Sequence, residues 1–253
     1  MHLSIDLVAL LFVVAIVASC VDAIAGGGGL IVLPTMLMVG IPPSVALATN
    51  KLQGSGGTFV ASLYFWHKRV VRLRDIRLTV LTTFLGAVFG VWLVLQIEST
   101  VLKAIIPFLL ISMGAYFALS PELGTADQNQ RMAHRPFSVI LAPLLGFYDG
   151  FFGPGTGMFM TLSLVSLRGY NLTKATAHTK ILNCTSNVSS LLYFLAFGKV
   201  YWWVGLVMLA GQVIGSSLGA RIVLAKGAAL IRPVVAIVCF LMASKLLFDI
   251  FSS

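Results

Sequence analysis

The sequence predicts an all-α polytopic membrane protein built from two related halves. Three observations predict it. First, apolar residues make up 58% of the 253-residue chain and charged residues 10%, against roughly 45–50% and about 25% in soluble domains. Mean hydropathy is +0.99, and a soluble fold would have too little polar surface to cover such an interior. Second, the apolar segments are helix-length runs, unlike the ~10-residue alternating strands of an outer-membrane barrel. Third, the chain repeats itself.

The repeat has an offset of 129 residues: Gly40, Ala46, Ala48 and Lys51 match Gly169, Ala175, Ala177 and Lys180, and Leu63-Tyr64-Phe65 matches Leu192-Tyr193-Phe194. Gly86 and Gly90 match Gly215 and Gly219, and Met113 matches Met242. Upstream the offset is 127, pairing Asp22, Gly26 and Gly28 with Asp149, Gly153 and Gly155. Glycines and polar residues dominate these identities, so shared hydrophobicity does not explain them. The organisation read from this is a first repeat (1–120), a polar linker (121–136) and a second repeat (137–253).

Each half reads alike. An apolar stretch (5–24; 137–152) runs into a Gly-rich break, GGGGL at Gly26–Leu30 or GPGTG at Gly153–Gly157. A second stretch (29–40; 156–167) is too short to cross ~30 Å of hydrocarbon at 1.5 Å per residue. Three span-length helices follow: 44–66, 78–96 and 102–119, then 172–197, 201–223 and 229–250. Each repeat is thus a Gly-broken hairpin plus three transmembrane helices, about eight membrane units in all. The first segment lacks the basic flank of a signal peptide and is expected to remain on the protein.

Charge placement orients the halves. If each hairpin folds back, the second repeat is inverted. Lys68, Arg69, Arg72, Arg74, Arg77, Arg131, Arg135, Arg168, Lys174, Arg221, Lys226 and Arg232 then share the cytoplasmic side, leaving Lys103 and Lys199 outside. That matches the excess of Lys and Arg in cytoplasmic loops and accounts for the net charge of +9 without a nucleic-acid partner. Cys20, Cys184 and Cys239 sit in apolar segments with no CxxC or Cys/His cluster, so neither a disulfide framework nor a metal or other cofactor is expected.

Intramembrane ionisable residues are costly and point to function. Lys51 and Lys180 lie seven or eight residues into their helices and, with inverted halves, approach the midplane from opposite sides. Snorkelling explains Lys245, near its helix end, better than this pair. Polar residues surround both, including Asn50, Gln53 and Thr58, then Thr179, Asn183 and Asn187. Thr176, Lys180, Asn183 and Asn187 share one helical face. The breaks begin short helices at depth, aiming free N–H groups inward at Gly28, Gly29, Gly155 and Thr156, where anions bind. Helix ends and lysines together predict an anion site. Asp22 and Asp149, four residues before each break, can pair with lysine, cap N–H groups or carry a proton; His178 is a further proton-coupling candidate. The glycine ladders 86/90 and 211/215/219 read as helix-packing surfaces.

The paired motifs DAIAGGGGLIVLPTMLMVGIPPSVALATNKLQ and FYDGFFGPGTGMF…KATAHTKILNCTSN resemble the TauE/SafE family of bacterial membrane transporters over essentially the whole chain. The resemblance implies a multi-pass inner-membrane transporter, with sulfite and organosulfonates as substrates of some members. By the same resemblance Asn50, Lys51, Gln53, Thr179, Lys180 and Asn183 line the pathway. The expected function is therefore a secondary transporter, an exporter, of a small anion; the alternatives are a passive anion channel or a carrier of a non-sulfur organic anion. An enzyme is not expected, since no nucleophile–base or metal-ligand spacing occurs. The expected partners are the anionic substrate and the lipid bilayer, and a homo-oligomer is compatible with the sequence.

Overall fold

In the computed structural model the described residues are 3–119 and 129–226, with Ser244 and Phe248. Apart from those two positions the expected last helix, 229–250, lies outside them, and with it Cys239, Met242 and Lys245; so does most of the linker.

Among the described residues the fold is helical throughout. Helix α1 (Ile5–Ala25) starts at the N-cap Ser4, whose hydroxyl accepts from Leu7 N–H, and stops at Gly26 in the left-handed conformation (φ 76°), where a Cβ would be penalised. Helix α2 (Gly29–Met38) is short. Helix α3 (Pro43–His67) opens on proline, which suits a first turn that needs no N–H donor. A 3₁₀ turn, Leu73–Ile76, leads into α4 (Arg77–Leu95), and α5 spans Ser99–Leu119. The second half opens with α6 (His134–Pro136), which continues through a π-helical stretch, Phe137–Leu141, into α7 (Ala142–Phe151). Helix α8 (Thr156–Arg168) follows the second break, α9 (Leu172–Phe197) is capped by Asn171, and α10 runs Trp202–Lys226.

Among the described residues three helical stretches are both long and apolar enough to cross a membrane: Ile5–Ile24, Leu73–Leu95 and Trp202–Arg221. Helices α3 and α9 are long enough at 25 and 26 residues. They lower their mean hydropathy by carrying the polar groups of the interior: Thr49, Asn50, Lys51, Gln53 and Thr58 on one, Thr176, Thr179, Lys180, Asn183 and Asn187 on the other, all buried. The outer surface is the reverse. Phe59, Leu81, Leu85, Phe89, Phe108, Leu206 and Leu218 are exposed, as expected of a surface solvated by lipid tails. Trp66, Trp92, Trp202 and Trp203 are also exposed and lie toward helix ends, where indole rings favour the membrane–water boundary.

The halves interdigitate. Helix α1 packs along α10, and α7 along α4; α3 lies against both α9 and α10, and α9 against α4. The ladder glycines permit this closeness. A Cβ on Gly86 or Gly90 would meet the carbonyl of Pro143 or Phe147 on α7, and one on Gly211 or Gly215 that of Phe12 or Ile16 on α1. Gly146 and Gly150 reciprocate against Thr83 and Ala87. Close backbone approach through small residues holds such helices together where no hydrophobic force separates helix from lipid.

The two breaks meet at the centre. A Cβ on Gly26 would strike the backbone of Gly157 and Met158, and Gly29 lies against Pro154. Both breaks are enclosed by protein, the condition under which non-helical backbone is tolerated at membrane depth.

Candidate functional site

Four ionisable side chains converge beside the breaks in two pairs, each joining one half to the other. Lys51 Nζ on α3 lies 3.0 Å from Asp149 Oδ2 on α7. Lys180 Nζ on α9 lies 2.9 Å from Asp22 Oδ2 on α1. Each ammonium also donates to the main-chain carbonyl of its aspartate. Those carbonyls belong to the last helical turn before a break, where the helix end attracts a cation; the Asp22 carbonyl also accepts the Gly26 N–H. Both lysines are 1% exposed.

This changes the electrostatics expected from the sequence. The lysines are not bare charges, because each ammonium touches a carboxylate and the four side chains sum to zero formal charge. Asp22 does two things at once: Oδ2 pairs with Lys180 while Oδ1 accepts the Gly28 N–H at 3.3 Å. Asp149 Oδ2 lies near Lys51 but outside hydrogen-bond geometry, and it is otherwise without a hydrogen-bond partner.

A cavity of about 40 Å³ opens beside the pairs. Its wall includes Asp22, Gly28, Gly29, Asn50, Gln53, Asp149, Asn183 and Asn187 from the sequence-derived set. It also includes Gly54, Thr58, Gly153 and Gln212. Gln53 Nε2 donates to Asn50 Oδ1 at 2.7 Å, and Asn187 Nδ2 to Asn183 Oδ1 at 3.1 Å. The pairs of amides thus orient each other. Gln53 Oε1 is buried without a partner, an arrangement costly enough to indicate a group that completes it.

The remaining expected residues stand elsewhere. Lys51 and Lys180 are behind the wall, reaching it through their aspartates. Thr179 accepts from the Thr161 hydroxyl at 3.0 Å and so joins α9 to α8. Gly155, in the left-handed conformation (φ 83°), starts α8, and Thr156 folds its hydroxyl onto the Gly153 carbonyl at 2.6 Å. Neither lines the cavity, so only the α2 helix start faces it. His178 is 2 residues from Lys180 but faces another way: its Nδ1 is 2.7 Å from the Lys174 carbonyl and its ring 4.8 Å from that of Tyr170. At 100° per residue, two positions lie on nearly opposite helix faces.

Gln212 and Gly54 carried no sequence signal of their own. A single glutamine on a glycine-laddered helix reads as packing, and Gly54 is the counterpart of Asn183 with its side chain deleted. Gly153 was visible as part of a break; its positive φ of 95° and its position beside Lys51 required the fold.

Among the described residues no cluster of His, Cys, Asp and Glu is arranged to hold a metal. The family described as Sulfite exporter TauE/SafE matches residues 11–246. The chain is 51% identical to a "Probable membrane transporter protein" of Haemophilus influenzae, over 98% of both chains. It is 49% identical to the "Probable membrane transporter protein YfcA" of Escherichia coli K12, over 96% of this chain and 90% of that one. With the "Probable membrane transporter protein ORF9" of Sinorhizobium sp. it shares 48% identity over 98% and 95%. No solved structure matches the chain. A helical membrane protein with buried, cross-paired charges beside a polar cavity, matched almost from end to end, is thereby a member of the TauE/SafE family of membrane transporters.

Proposed function

We propose that the protein exports a small sulfur oxyanion, sulfite or an organosulfonate, across a bacterial inner membrane as a secondary transporter. The observation that carries this reading is the polar cavity where the aspartates of two Lys–Asp pairs, the breaks and five amide side chains meet. Its volume of about 40 Å³ suits an occupant the size of a few waters, which favours sulfite over the larger sulfonates in this conformation. The family's description favours sulfite and the outward direction.

The pairs supply a mechanism. A paired lysine is already neutralised and attracts an anion poorly. Protonation of Asp149 or Asp22 discharges the carboxylate and frees the ammonium, and the anion then takes the vacated place. An unpaired buried charge costs about 3–5 kcal/mol, so proton and anion bind preferentially together. Asp149 Oδ2, paired with the Lys51 ammonium but accepting no hydrogen bond, is the natural proton acceptor. His178, remote from both pairs, has no part in this step. We also read the halves as inverted repeats of a Gly-broken hairpin plus three helices, moving against each other about the occluded site. The corresponding contacts α1–α10 and α7–α4 support that reading.

Proteoliposomes loaded with sulfite test it. Wild type should show saturable efflux accompanied by proton movement, and Lys51→Ala and Lys180→Ala should each slow it by at least tenfold. Asp149→Asn should leave anion movement but abolish the accompanying proton flux. Wild-type rates in both lysine variants would remove the site assignment. Non-saturating flux without proton movement would make the protein a passive anion channel.

A further inference from the structure

A second cavity, of about 340 Å³, lies at the basic end of the molecule, within the range of small-ligand sites. Three separate stretches build it: the turn after α3 (Arg69, Arg72, Asp75), the start of α6 (His134), and the α8–α9 connection with the first turns of α9 (Arg168, Tyr170, Lys174, His178). Arg69, Arg72, Arg168 and Lys174 face a single carboxylate, Asp75, leaving a net +3 with neutral histidines. None of the four cations forms an ion pair among the described residues, whose salt bridges are the two central ones.

Two of the cations, Arg168 and Lys174, are positioned, while Arg69 and Arg72 are exposed. Tyr170 carries Lys174 Nζ 4.2 Å from its ring centre and Arg168 Cζ 5.5 Å from it. The Arg168 guanidinium also donates to the Met132 carbonyl at 2.7 Å, which fixes its direction. Arg69 occupies the left-handed region (φ 56°) at the end of α3, where glycine is usual and a long cationic side chain is uncommon. A fixed guanidinium matches the geometry of a tetrahedral oxyanion, and although an excess of Lys and Arg is ordinary in cytoplasmic loops, its convergence on one cavity points to a ligand.

We propose that this cavity is a second anion-binding site, for a tetrahedral oxyanion group, sulfate or phosphate, either free or borne by a lipid headgroup. It is separate from the central cavity, about 9 Å along α9 from Lys174 to Lys180 at 1.5 Å per residue, and it stands whether or not the central cavity carries sulfite.

The test is calorimetric titration of the purified full chain with sodium sulfate and sodium phosphate at constant ionic strength. It would be done in nanodiscs of phosphatidylcholine and again with phosphatidylglycerol added. Variants would be Lys174→Ala and Arg72→Ala, neither of which touches the central pairs, and Gln53→Leu at the central cavity. The expected result is saturable binding weakened about tenfold by either basic variant and unchanged by Gln53→Leu. If the lipid is the source, phosphatidylglycerol abolishes binding of the free ion in wild type and does so less in Lys174→Ala. Sulfate binding lost in Gln53→Leu but untouched in both basic variants overturns this proposal and leaves the central site standing. Binding equal to that of chloride in every variant overturns it as well.

Discussion

Lys51 shows what a buried charge does to its neighbours. Replacing it with alanine leaves Asp149, 2% exposed, without its cation, and the loss should be about 3–5 kcal/mol. The double variant Lys51→Ala/Asp149→Asn should recover most of that stability while remaining inactive; thermal unfolding and sulfite flux, measured side by side, separate the two effects. Gly54 offers the opposite case. A Cβ there would lie 3.5 Å from the Asn187 amide, an ordinary contact, and alanine is the better helix former. Gly54→Ala should therefore keep or raise the unfolding temperature while slowing transport several-fold, because the methyl group enters the cavity. At this scale the sequence revealed the four ionisable residues plainly, as charges stranded in apolar runs. Their partnership was not legible. Asp22 and Asp149 stand at equivalent positions, and only the packing of α1 on α10 and α7 on α4 decides that each serves the lysine of the other half.

The elements were the most legible level, because glycine and proline punctuate them. Expected boundaries at 44–66 and 172–197 became Pro43–His67 and Leu172–Phe197. The ladders were read as packing surfaces, and their direction, α4 to α7 and α10 to α1, came from the fold. They differ from Gly54 in what surrounds them. Gly86→Ala would place a methyl group against the backbone of Pro143, which cannot swing aside as a side chain can. It should cost about 1–3 kcal/mol, read as a lower unfolding temperature in detergent, whereas Gly54→Ala should not. What the sequence concealed is the unequal use of the two short helices. Residues at the start of α2 line the cavity; Gly155 and Thr156 at the start of α8 do not.

For the molecule as a whole, the proposed inverted arrangement predicts where chemical labels reach. In a variant lacking the native cysteines, Arg72→Cys should resist a membrane-impermeant maleimide applied to intact cells, and Lys199→Cys should react. Equal labelling of both would remove the proposed topology. The apolar exterior and polar interior were legible from composition alone; which polar residues turn inward together was not, because that depends on contacts between residues as far apart as Lys51 and Asp149. The cross-pairing has a consequence for ancestry. A half-length chain would hold one buried lysine and one buried aspartate placed to satisfy another chain. It would be electrically complete only in the company of a copy of itself. Fusion of two such copies would release them from identity, so that His178 and Thr49, or Asn183 and Gly54, could differ at corresponding positions, while the four charges would stay bound by mutual need. At the four paired charges neither half could drift alone.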